Sequence, residues 1–277
     1  MLNQEVQRES QKVETTSVKP KPVFVIATQR SGTNLFRSLL VSTGYFTDFK
    51  EVFHSNTNSE INFFNFRRKL YAKNLELSLP SNDNLKSIFK QYLKHLKSKA
   101  DTPYFFVDIK YNSFGHLSPY WQGQLEIPRL LNLIKSHKFP IIHIIRDNVL
   151  ETECSLRLAQ KNLNHTLRSD EKLKFSRVQL DKETIKDILD RRIKEIELFK
   201  SWLDDYKPVT EIKYSNIIED NSLSQSAKDE LSKLLNLSIT ETTKTPYKKM
   251  ASSLKNTIEN YEEIHGVLKD NYSDLLK

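Results

Sequence analysis

One cysteine, Cys154, stands among 277 residues. No intrachain disulfide can form, and a reducing compartment is the expected setting. Glycine is nearly as scarce, with five in the chain, so each marks a place where the backbone turns tightly or is closely approached. No stretch nears the roughly 20 apolar residues of a membrane-spanning helix, so stable membrane insertion is not expected. The first twenty residues are polar and mixed in charge, without the apolar centre of a secretory signal. There is no H-E-x-x-H, no close Cys/His spacing and no acidic loop, so no metal is expected. A G-x-S-x-G elbow is also missing, which argues against a serine hydrolase of that type.

What is present is basic. Lys and Arg number 43 against 35 Asp and Glu, a net charge of +8. Such a balance favours an anionic partner: nucleic acid, a membrane surface or a phosphorylated small molecule. The basic residues are spread along the chain, which weakens the nucleic-acid reading. Residues 1–21 read as a disordered leader ending at Lys19-Pro20-Lys21-Pro22, and residues 22–277 as one domain.

Val23-Phe24-Val25-Ile26-Ala27 reads as a fully buried strand. Thr28 to Asn34 follow as a loop, and Leu35, Phe36, Leu39 and Leu40 give a helical face that Gly44 would stop. Strand-like runs recur at Tyr104 to Ile109, Ile141 to Ile145 and Val209 to Tyr214. Helical patterns lie between them, one over Leu85 to Leu96 and a long charged one over Ile185 to Leu203. Strands alternating with helices predict an α/β fold of three layers, a central parallel sheet flanked by helices. Leu237 to Tyr247 reads as an exposed loop, and Asn256 to Leu276 as a final helical segment broken near Gly266.

Ligands in such sheets bind beyond the carboxyl ends of the strands. A helix opening at Thr33 presents free N–H groups and the positive end of its dipole. Arg30 adds a bidentate cation. Ser31, Thr33 and Asn34 add short donors, and Gly32 lets the backbone come close. The loop therefore suits a phosphate-like anion, the alternative being an ordinary strand-to-helix turn. It is not a G-x-x-x-x-G-K-[ST] loop, having one glycine and no Gly-Lys pair. A second candidate follows Ile145, where Arg146 ends a buried strand and Ser155 lies along the next helix. Taken alone, that pair reads better as a strand-ending Arg-Asp pair and a helix serine.

TQRSGTNLFRSLL resembles the 5′-phosphosulfate loop of sulfotransferases that use 3′-phosphoadenosine-5′-phosphosulfate (PAPS). IIHIIRDNVLETECSLRLAQ resembles their 3′-phosphate motif, EIKYSNII the tyrosine-bearing strand end that follows, and KKMASSLKNTIENYEEI the tail of bacterial members acting on glycans or glycolipids. The resemblance covers most of residues 22 to 265. It implies a P-loop-like fold, PAPS as co-substrate, a carbohydrate or glycolipid hydroxyl as acceptor, and a cytoplasmic, bacterial setting. It also implies that Arg30, Ser31, Gly32, Thr33 and Asn34 hold the 5′-phosphosulfate, and that Arg146 and Ser155 hold the 3′-phosphate. Lys248 and Lys249 would add a cation there, or remain a solvated pair. Arg146 and Ser155 are nine residues apart where eight is usual, and one residue is ~100° of helix. Either the turn absorbs the extra residue, or Ser155 misses the phosphate, and Cys154 at the eight-residue position would be a poor substitute.

For the proton of the attacking hydroxyl the resemblance points to Glu51, with His54 as rival because its pKa suits neutral pH. Glu51 could instead be a surface carboxylate paired with Lys50. Lys110, at the end of the run Tyr104 to Ile109, could steady the sulfuryl oxygens or the acceptor, or simply be solvated, with Arg30 on the leaving oxygen. Asp48 and Asp108 could orient neighbours, and His116 could be solvated. Residues 55–100 and 112–126, with Tyr120 and Trp121, would shape the acceptor pocket. Two other readings stand beside this one: a P-loop-like nucleotide kinase, and a non-catalytic module binding anions or glycans on the same scaffold.

Overall fold

The apolar run that begins at Val23 forms the middle of a five-stranded parallel sheet. The computed structural model describes residues 19–54, 59–119, 121–123, 126–164, 167–168, 171–239, 242, 245–247 and 253–276. Strand β1 (Lys21–Ala27) is followed by helix α1 (Thr33–Val41), the short strand β2 (Phe46–Asp48) and helices α2 (Phe63–Lys73) and α3 (Asn82–Lys97). Then come β3 (Tyr104–Lys110), α4 (Arg129–Ser136), β4 (Ile141–Ile145), α5 (Val149–Asn162), α6 (Ile185–Leu203) and β5 (Val209–Lys213). The sheet order is β2-β3-β1-β4-β5, every pair parallel.

Alternating residues send the strands' side chains to opposite faces. Phe24, Ile26, Phe105 and Val107 join a core with α3 and α4. Val23, Val25, Phe106 and Ile144 join another with α1 and the later helix α7 (Gln225–Leu235). The expected three-layer α/β architecture is therefore present. The register also brings the strand ends level: Ala27 lies opposite Lys110 and Ile144, and Ile145 opposite Lys213. Residues just past four strands thus gather at one edge of the sheet, at the point where the chain departs to both sides of β1.

Two expectations change beyond α7. The C-terminal segment holds α8 (Leu254–Thr257) and α9 (Tyr261–Leu268), and α9 runs through Gly266. The break lies at Ile258 to Asn260, where Val178 donates its N–H to the Thr257 carbonyl and accepts from the Glu259 N–H. In the stretch read as an exposed loop, Ile239 is buried against the α7 core. Residues 1–18 of the expected leader, Lys248, Lys249 and Tyr120 lie outside the described residues.

Candidate functional site

The turn between β1 and α1 is tight enough to need a left-handed backbone twice, at Arg30 (φ 66°) and Gly32 (φ 78°). Thr28 and Ser31 share a hydroxyl hydrogen bond of 2.7 Å that braces it. Gly32 is required for a second reason: a Cβ there would run into the ring of Tyr214, just past β5. The same ring lies under the guanidinium of Arg146, 4.6 Å from its centre, a cation–π contact. Tyr214, which the sequence marked only through resemblance, therefore joins the two candidate anion sites.

Arg30 and Arg146 line one cavity of about 900 Å3. Arg146 Nη1 donates to the Arg30 carbonyl at 3.1 Å, and its Nη2 pairs with Glu151 at 2.9 Å. The sequence suggested an Arg-Asp pair here, but Glu151, one turn into α5, takes the arginine instead of Asp147. The Nε of Arg146 is buried without a partner, although the residue is only 4% exposed. Such a donor is costly to leave unmet. Burial first, and the neighbouring Arg146 second, lower the pKa of Arg30 from its ordinary value.

Of the two neighbours on α5, Ser155 and not Cys154 lines the cavity. Asn148 caps α5, its side chain accepting from the Glu151 N–H. Ser155 then faces the cavity and accepts a hydrogen bond from Arg30 Nε at 3.1 Å. Cys154 points into the core between α5 and α6, where burial pushes its thiol up to about 12.

Glu51, His54 and Lys110 line the same cavity. Glu51 pairs with Lys110 at 3.5 Å, so the surface pairing with Lys50 is not found. Lys110 Nζ also donates to Thr33 Oγ1 at 2.5 Å and to both Asp108 oxygens at 2.8 and 2.9 Å. Burial pushes the Lys110 ammonium down to about 7, against the pull of Glu51. Burial alone would raise the carboxyl of Glu51, but Lys110 and then Arg37 outweigh it and hold it below its usual value.

Arg37 was not singled out in the sequence, yet it is 1% exposed. It contacts Asp108 through Nη1 and Asn34 Oδ1 through Nη2 at 2.6 Å, and its Nε lies 3.0 Å from Asp48. The signal for it lay in Asp108: a carboxylate inside a buried strand needs a cation, and α1 is the helix that covers that face. Asn62, also unanticipated, shapes the cavity rim by donating to the carbonyls of Val52 and His54.

His116 is half-buried and does not line the cavity. It packs against Phe53 and Phe64, and burial lowers its pKa. Ser59, Ile61 and Asn62 line the cavity from the segment expected to shape the acceptor pocket, but no described residue of 112–126 does. Trp121 is exposed. No helix among the described residues is long and apolar enough to cross a membrane. No family model matches the chain, and no curated protein matches it.

Proposed function

We propose that this protein transfers a sulfuryl group from PAPS to a hydroxyl of a carbohydrate or glycolipid. The observation that carries the reading is that Arg30 and Arg146 meet at one cavity that Glu51 and Lys110 also line. The two arginines suit a nucleotide bearing two anionic ends, and the carboxylate suits the proton transfer an acceptor needs. The two guanidinium groups on the cavity support an anion there, as does the helix start at Thr33.

In this reading the acceptor oxygen attacks sulfur in line with the bridging oxygen. The oxygen–sulfur bond to the acceptor forms as the bond to the bridging oxygen breaks, and the electron pair stays on the 5′-phosphate. Arg30 and the first N–H groups of α1 stabilise that charge. Glu51, kept ionised by Lys110, takes the hydroxyl proton. The products are a sulfate ester and 3′-phosphoadenosine-5′-phosphate. Lys110 leaves Thr33 to follow the sulfuryl oxygens.

Thermal melting tests this directly. A ligand that binds only the native state at a hundredfold excess over its dissociation constant stabilises by about 2.7 kcal/mol. 3′-phosphoadenosine-5′-phosphate should raise the melting temperature and ATP with magnesium should not. The reverse outcome would favour a nucleotide kinase.

A further inference from the structure

Three side chains of the cavity wall are each held from one side by a cation that can only donate. Lys110 Nζ donates to Thr33 Oγ1 at 2.5 Å, Arg30 Nε to Ser155 Oγ at 3.1 Å, and Arg37 Nη2 to Asn34 Oδ1 at 2.6 Å. Ammonium and guanidinium groups have no acceptor. The hydroxyl hydrogens of Thr33 and Ser155 must therefore point elsewhere. The Asn34 amide cannot be the other way round either, because its NH2 would then face a guanidinium.

We propose that Arg37 is a positioning residue that fixes the Asn34 amide with Nδ2 toward the cavity, so that Asn34, Thr33 and Ser155 all turn donors toward an incoming oxyanion. Arg37 is fitted for the task because it cannot turn. Asp108 on β3 and Asp48 on β2 hold the rest of its guanidinium, and it is buried. It therefore ties the anion loop to two strands, and a lysine, whose three donors radiate from one nitrogen, lacks the planar fork that reaches these three partners.

A wall of donors selects against a protonated ligand. An oxyanion that carries a hydroxyl would meet a donor with a donor, leaving both unpaired at a cost of about 1–3 kcal/mol. The inference depends on the cavity being an oxyanion site, as the proposed function requires, but not on sulfuryl transfer. The charged groups facing Asn34 and Thr33 are Arg30, Arg37, Lys110, Asp48, Asp108 and Glu51, with His54 on the same cavity.

Methyl sulfate and methyl phosphate isolate the effect at about pH 5, below the second phosphate pKa of about 6. Both then carry one negative charge, and only the phosphate carries a proton. NMR titration of the full chain should show methyl sulfate binding about tenfold more tightly, a factor worth about 1.4 kcal/mol. Asn34→Ala should bring the ratio toward unity, and Asn34→Asp should invert it, since both ligands feel the same added charge. Arg37→Lys, which keeps a cation against Asp108, should shift the ratio as Asn34→Ala does. An unchanged ratio in Asn34→Ala or in Arg37→Lys would overturn the inference and leave the proposed function standing. If neither ester binds the unaltered protein, the oxyanion site is wrong and both readings fall.

Discussion

Gly32 and Tyr214 are packed so closely that a methyl group on the glycine would occupy the edge of the tyrosine ring. Tyr214 in turn supports Arg146. The glycine, the ring and the arginine therefore form one stack, built from the ends of β1, β5 and β4. Its geometry makes the anion loop and the Arg146 wall parts of a single surface.

Gly32→Ala should be damaging for two separable reasons. The positive φ costs an L-residue roughly 1–2 kcal/mol, and the ring must also move. The variant should melt at a lower temperature and bind 3′-phosphoadenosine-5′-phosphate weakly. Pairing it with Tyr214→Ala relieves the clash but not the backbone strain. The double variant should therefore recover part of the melting temperature lost in Gly32→Ala, as thermal denaturation of the two will show.

Ser155 and Cys154 differ in which way they point. Ser155→Ala removes a cavity hydroxyl, and a hydrogen bond to a charged group contributes about 1.5–3 kcal/mol. Bisphosphate affinity measured by calorimetry should fall about tenfold or more. Cys154→Ala should lower stability through the core it vacates while leaving affinity unchanged. An affinity loss confined to Cys154→Ala would mean that α5 is rotated relative to this account.

Glu51→Gln should bind the bisphosphate normally and lose turnover by about 10²–10⁴, the usual scale for a general base. His54→Asn should stay within a few-fold of the unaltered rate. Steady-state kinetics with PAPS separate the two, because a swapped result would make His54 the base.

Lys110 should make anion binding sensitive to alkali. Burial, against Glu51, places its pKa at about 7. An anion beside it favours the charged form, so binding above that pH takes up a proton. Affinity for the bisphosphate should therefore fall as pH rises from about 7. Calorimetry in two buffers of different ionisation enthalpy should register the proton uptake. Lys110→Met should bind more weakly and show neither effect.

Much of the scaffold was legible because it rests on periodicity. The runs at Val23, Tyr104, Ile141 and Val209 are strands, and the apolar face from Leu85 to Leu96 is buried along α3. Strand β2 escaped notice because three residues, Phe46–Asp48, are too few to show alternation. The sheet order could not be read at all, since pairing depends on contacts distant in sequence. At the site, Arg30, Ser155 and Glu51 were marked by loop chemistry and resemblance. Arg37 was not, because a charge on a helix ordinarily faces solvent. Only the sheet order, which brings Asp108 and Asp48 beneath α1, explains its burial.

The central claim is that one nucleotide is held at both anionic ends, and comparing two ligands tests it most directly. Calorimetric titration with 3′-phosphoadenosine-5′-phosphate and with adenosine 5′-phosphate should give at least a tenfold preference for the bisphosphate, about 1.4 kcal/mol. Arg146→Ala should abolish that preference and leave the weaker ligand's affinity nearly unchanged. Equal affinity of the unaltered protein for the two nucleotides, or a preference that survives Arg146→Ala, would contradict the account.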